Sequence, residues 1–244
     1  MSLEVLNATV LALRNASINL GWHKSCARKK NTLDLALTTP AADVVSIPVV
    51  AIALLLSLFS FLYDLGRYPL LDNNEGLYAE IAREMLETGN FIIPHLLGVP
   101  YLEKPPLLYW LMAASFYIFG PTAASARLIS ASAMLVLAMM LLLFCRRLGN
   151  LRVGIYALLI FSTTVPATLV SRTVIFDPLL TMLIGACLLS YLQWYRNHKR
   201  SWIYTAAIFL ALATLEKGGV AIILVAGIII FFPSVCASEK RYRP

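Results

Sequence analysis

Six long stretches of this chain carry no charged side chain, at 44–63, 128–145, 153–171, 178–195, 201–215 and 218–238, and they leave it little choice of fold. A helix needs roughly 20 apolar residues to cross ~30 Å of hydrocarbon, and most of these stretches approach that length. The 201–215 stretch is short, but Glu216 and Lys217 extend it by reaching back to the interface. Hydrophobic residues make up 59% of the chain and charged residues only 14%, which excludes an ordinary soluble domain. The reading is an all-α, polytopic membrane protein with about six transmembrane helices.

The net charge of +7 does not point to nucleic acid. Lys and Arg collect in short segments between the apolar stretches, which is the orientation signal of membrane proteins. Cys26, Cys145, Cys187 and Cys236 have neither metal-ligand spacing nor a disulfide framework, and read as small apolar residues.

Three segments follow. Residues 1–43 read as a basic, disordered cytoplasmic tail or an over-extended translation start, without the order of a cleaved signal peptide. Asn7 and Asn15 match the glycosylation pattern, but a basic tail before the first span stays inside. Residues 44–238 form the transmembrane domain, with an outer loop at 64–127, and 239–244 are a cytoplasmic end at which the chain reads as truncated.

The uncharged run 105–126 is the difficult segment. Pro105 and Pro106 open it and Gly120-Pro121 breaks it, leaving about 13 helical residues, the length of an interfacial segment. Tyr109, Trp110, Phe116, Tyr117 and Phe119 suit the headgroup level. If 105–126 lies in the interface, fourteen basic residues fall inside and six outside; if it crosses, the split is eight and twelve. The orientation rule prefers the first. Asp72, Glu75, Glu103, Lys104, Arg172, Asp177, Glu216 and Lys217 then share the outer face.

Within the outer loop, Asn73 or Asn74 caps a helix running from about Glu75 to Thr88, stopped by Gly89. Leu77, Tyr78, Ile81, Ala82, Met85 and Leu86 share one face, and Glu80, Arg83, Glu84 and Glu87 the other. This predicts an amphipathic juxtamembrane helix lying flat on the bilayer. Glu75 projects with the apolar face; it is either a reactive carboxylate or a first-turn residue complementing the helix dipole. In Glu103-Lys104-Pro-Pro the prolines fix the backbone beside Lys104, which is either a ligand for lipid phosphate or a snorkelling lysine. Asp177 precedes Pro178 as a reactive acid or a helix cap, and Lys217, before Gly218-Gly219, closes another outer turn or anchors at the interface. His23, His95 and His198 receive no role.

The run YAEIAREML…G…IPHLLGVPYLEKP, followed in order by FDPLL and EKGG, resembles the first outer loop and later segments of the GT-C membrane glycosyltransferases. The nearest likeness is to the bacterial 4-amino-4-deoxy-L-arabinose (lipid A) transferases and the dolichyl-phosphate-mannose protein mannosyltransferases. It covers about residues 48–235 and corresponds to the N-terminal half of such an enzyme. The resemblance implies a transferase in the bacterial inner membrane, its active face toward the periplasm. It takes a sugar from a polyprenyl-phosphate carrier to an acceptor that is a lipid, a glycan or a protein. The family's Asp-Glu pair becomes Asn74-Glu75 here, so Asp72 or Glu75 must serve as the base. By the same resemblance Lys104 binds the lipid phosphate, Glu103 is a ligand for a possible divalent metal, and Asp177 and Lys217 match an outer aspartate and lysine. Arg83 or Arg172 stands as a helper to Lys104. Two other readings are a flippase for lipid-linked sugars, which the lack of ionisable residues inside the spans disfavours, and an inactive fragment.

Overall fold

The computed structural model describes residues 46–70 and 73–238, with side chains described for all but Asn73 and 232–238. Expectations for the tail 1–43, the end 239–244, the two glycosylation motifs and Asp72 lie outside the described residues. Asp43–Gly227 form one compact unit, and everything below concerns it.

The unit is helical. Its elements are α1 (Ile47–Leu62), α2 (Asn73–Thr88), a minimal hairpin of β1 (His95–Leu96) and β2 (Val99–Pro100), α3 (Leu107–Phe119), α4 (Ala123–Arg147), α5 (Leu151–Thr163), α6 (Val165–Ser171), α7 (Asp177–Asn197), α8 (Arg200–Lys217) and the start of α9 (Val220–Ser238). Among the described residues, two of these, α4 and α7, are long and apolar enough to cross a membrane, or three if the bent pair α5–α6 counts as one span. That is fewer than the six expected. At 16 residues α1 is about 24 Å long, short of the hydrocarbon thickness.

The 153–171 stretch, read from sequence as one span, breaks at Thr164 with a 63° bend. Pro166 is responsible, because its ring cannot follow a continuous helix and it lacks an N–H. The hydroxyls of Thr163 and Thr164 donate to the carbonyls of Leu159 and Ile160, absorbing acceptors freed at the break. Below it α4 and α5 approach closely: a Cβ on Gly154 would come within 3.0 Å of Cys145 Cβ and 3.1 Å of the Leu142 carbonyl oxygen.

Two expectations about the outer loop need correction. The apolar face of α2 does not lie on lipid. Ile81, Ala82 and Met85 are buried in a protein core with Leu108, Tyr109 and Met112 of α3. The 13-residue length of α3 is as expected. Tyr109 and Phe116, however, are core residues rather than headgroup-level rings, while Tyr117 and Phe119 are exposed. An apolar helix face needs only to leave water, and here a second helix supplies the surface that lipid was expected to supply.

Candidate functional site

The cluster is built around an ion pair between α2 and α4. Glu75, in the first turn of α2, is 3% exposed, and its carboxylate accepts from Arg127 at both oxygens: Nη2 to Oε2 at 2.8 Å and Nε to Oε1 at 3.3 Å. Glu75 Oε1 also accepts the backbone N–H of Val174 at 2.8 Å. Arg127 in turn donates to the carbonyls of Leu65 at 3.0 Å, Tyr68 at 2.7 Å and Pro69 at 3.0 Å. One guanidinium thus fastens the incoming segment 65–69, the start of α2 and the start of α4, and Glu75 carries the tie on to the 172–176 turn. The planar fork suits Arg for this, since it serves a carboxylate and several carbonyls at once. Glu75 is therefore enclosed and engaged at both oxygens, unlike a base open to an acceptor.

Beyond this clamp the 172–176 turn meets α2 and α3 through aromatic rings. Phe176 stands edge-on to Tyr78 at 5.0 Å and to Tyr109 at 5.7 Å, and Tyr78 lies 6.1 Å from Tyr109. Asp177 follows Phe176 and opens α7. It does not cap the helix through its side chain; its Oδ1 receives Lys217 Nζ at 2.5 Å from the end of α8. The structure thus brings together two site residues forty positions apart in sequence. The pair is half-exposed, with side-chain exposures of 34% for Lys217 and 56% for Asp177.

The hairpin delivers the remaining candidates. Its turn needs positive φ at Leu97 and Gly98, and the Gly98 N–H donates to Glu84 Oε1 of α2 at 2.8 Å. The Tyr101 N–H donates to the Pro94 carbonyl, and the Trp110 indole to the Phe91 carbonyl, so both ends of the loop are fixed. Tyr101 donates its hydroxyl to Glu103 Oε2 at 3.0 Å; burial first, and then this bond, pushes the Tyr101 phenol up to about 12. Burial, then Tyr101 and Tyr78, then Glu216 push the Tyr109 phenol up as well. Lys104 is half-buried just before the two prolines and makes no hydrogen bond or ion pair among the described residues.

Arg83 and Arg172 stand apart from this cluster. Arg83 is held along the exposed side of α2 by Glu80, at 2.6 and 2.9 Å, and by Glu87. The Arg83 hydrogen bond holds the Glu80 carboxyl below the usual carboxylate range. Arg172 donates to the Ser60 carbonyl of α1 at 3.2 Å. Among the described residues no group of three His, Cys, Asp or Glu gathers to hold a metal ion, and Glu103 accepts the Tyr101 hydroxyl. These residues do not by themselves make a divalent-cation site.

Sequence reasoning missed Arg127, which entered only as one of the six basic residues counted outside. The signal was present: it is the single charge inside an otherwise uncharged run from 105 to 145.

The model of the dolichyl-phosphate-mannose-protein mannosyltransferase family matches residues 103–241, more than half of the chain. This chain belongs to that family. It is also similar to the undecaprenyl phosphate-alpha-4-amino-4-deoxy-L-arabinose arabinosyl transferase of Aeromonas hydrophila subsp. hydrophila, 33% identical over 135 residues, covering 55% of this chain and 25% of that protein. The fold matches the crystal structure of ArnT from Cupriavidus metallidurans in the apo state with a TM-score of 0.70 at 25% identity, covering 78% of this chain and 35% of ArnT. The same ArnT bound to undecaprenyl phosphate matches with a TM-score of 0.63 at 24% identity, covering 75% of this chain and 35% of that one. The chain thus spans a quarter to about a third of these relatives. It is a member of the GT-C glycosyltransferases with an ArnT-like membrane fold.

Proposed function

We propose that this chain forms the donor-binding part of a glycosyltransferase that takes a sugar from a polyprenyl phosphate at the outer, periplasmic face of the bacterial inner membrane. Six crossings, with α3 and α2 on the outer side, are part of the proposal. The observation that carries it is Lys104: a half-buried cation with no counter-ion among the described residues, fixed by two prolines beside the Tyr101–Glu103 pair. An uncompensated ammonium at that place suits a phosphate whose polyprenyl tail stays in lipid.

In the reaction the acceptor hydroxyl attacks the anomeric carbon as the bond from that carbon to the phosphate oxygen breaks. The phosphate leaves with the electron pair, held by Lys104, and Lys217, once released from Asp177, adds a second cation. The acceptor's proton passes to a carboxylate on the opposite face of the sugar, which makes the transfer inverting. We assign that proton to Asp72, because Glu75 is committed to Arg127 and Val174. Arg83 and Arg172 are assigned no part in phosphate binding, since each is engaged elsewhere.

The test is binding of undecaprenyl phosphate to the purified chain in nanodiscs, followed by sugar transfer from the loaded carrier to a lipid acceptor. Lys104→Ala should weaken phosphate-dependent binding at least tenfold relative to undecaprenol, the same lipid without phosphate. Equal affinity of the wild-type chain for both lipids would refute the reading.

A further inference from the structure

The helices that begin at the outer cluster carry a second feature to the far end of the bundle. At 1.5 Å per residue α4 runs about 37 Å from Ala123 to Arg147, and α7 about 31 Å from Asp177 to Asn197. Both therefore end a hydrocarbon thickness away from where they start. Six cations gather around the two turns there: Arg146, Arg147 and Arg152 between α4 and α5, and Arg196, Lys199 and Arg200 between α7 and α8. All but Arg196 are exposed. No acid accompanies them, for the sequence has none from Leu128 to Phe176 and none from Pro178 to Leu215.

The two turns are fastened to each other. The Arg147 guanidinium stands over the Trp202 ring at 5.0 Å, which joins the end of α4 to the start of α8. His198, in the left-handed conformation after α7, sets its ring edge-on to Trp194 at 6.4 Å, and Trp194 lies 5.6 Å from Tyr191. Cations with aromatic rings just beneath them mark the headgroup level of a bilayer. Holding charges of one sign together is unfavourable unless an anion lies among them. The start of α5 is capped by Asn150, which accepts the Val153 N–H at 3.1 Å, whereas α8 begins after Lys199 with no side-chain cap. The first N–H groups of α8 thus add to the pull of Lys199 and Arg200 on an anion.

The partner follows from this chemistry. A zwitterionic headgroup brings its own cation and cancels much of the attraction, while a phosphodiester without one keeps it all. We infer that this end of the bundle binds an anionic phospholipid of the leaflet opposite the outer cluster, its phosphodiester set among Arg146, Lys199 and Arg200. The lipid then ties the α4–α5 turn to the α7–α8 turn. The inference needs the bundle to cross the bilayer and is independent of the polyprenyl-phosphate reading.

The full chain in a neutral detergent is titrated with phosphatidylglycerol and with phosphatidylcholine of the same acyl chains, and native mass spectrometry counts the bound lipids. A Lys or Arg beside an anionic headgroup strengthens binding about fivefold, so two of them should favour phosphatidylglycerol by roughly tenfold or more. Arg146→Gln should lower that preference about threefold or more, and Lys199→Gln/Arg200→Gln should bring it to about twofold or less. Arg146→Lys should keep it. Arg67→Gln also removes one exposed charge, but at the outer end, and should leave the preference unchanged. An equal loss in Arg67→Gln would make the preference a matter of net charge and overturn the inference. Equal affinity of the wild type for the two lipids, or a full preference in Arg146→Gln, would overturn it too. If Lys199→Gln/Arg200→Gln does not fold, the comparison of Arg146→Gln with Arg67→Gln decides.

Discussion

Replacing Arg127 by Met keeps much of the side chain's bulk and removes its charge. The loss takes the guanidinium from the Glu75 carboxylate, which is 3% exposed and keeps the Val174 N–H, and leaves the buried Leu65 carbonyl without its donor. Breaking a buried pair from one side costs about 3–5 kcal/mol, and an unpaired buried carbonyl adds roughly 1 kcal/mol. The Tyr68 and Pro69 carbonyls are partly exposed and turn to water. The expected loss is about 4–6 kcal/mol, a large part of a typical domain's stability. Glu75→Gln alone should cost less, about 2–3 kcal/mol, because a neutral amide is cheaper to bury than a charge. The double variant Glu75→Gln/Arg127→Met should be less damaging than the sum by roughly 2 kcal/mol or more, since no charge is left stranded. The assay is reversible SDS titration in bicelles, followed by Trp fluorescence, for the wild type, both single variants and the double. Additive single variants, with a coupling below about 0.5 kcal/mol, would refute the idea that the two side chains act as one buried unit.

Four further outcomes follow. Lys217→Ala should change stability by no more than about 1 kcal/mol, because its partner Asp177 is more than half exposed, yet weaken undecaprenyl phosphate binding; the same titrations read both. Glu84→Ala should loosen the hairpin that carries Tyr101 to Lys104 and raise the apparent KM for a polyprenyl-phosphate donor, and Glu84→Gln, whose amide oxygen still accepts the Gly98 N–H, should restore it. Gly154→Val should destabilise the protein by about 1–3 kcal/mol, since its side chain would enter the α4 backbone at Leu142; an unchanged SDS midpoint would count against that close approach. Arg83→Ala should return Glu80 to the ordinary carboxylate range in a carbon-detected NMR titration. The depressed pKa means that the pair's small stabilisation is present at neutral pH and disappears as pH falls through the Glu80 value.

The apolar stretches, the helix at 73–88 and the 13-residue helix after Pro106 were all legible in the sequence, because each rests on a local pattern: period, cap and breaker. What covers the apolar face of α2 was not, since lipid and protein satisfy the same pattern equally well. Pro166 stood in plain view inside the 153–171 stretch; counting charges alone hid the bend it imposes. The family motifs named Asp177 and Lys217 separately, and only the fold brings them into contact. Glu75 was singled out correctly as the acid on the wrong face of its helix. Its partner, 52 residues away, is set by tertiary packing that no periodicity records.

That separation bears on how the chain is made. Glu75 leaves the ribosome well before Arg127, and the Val174 amide follows later still, 99 residues behind the carboxylate it binds. During synthesis the segment around Glu75 therefore waits for its guanidinium until the start of α4 has been made. A nascent chain halted between those points would leave an unfinished loop open to proteolysis, and one halted after residue 174 would not.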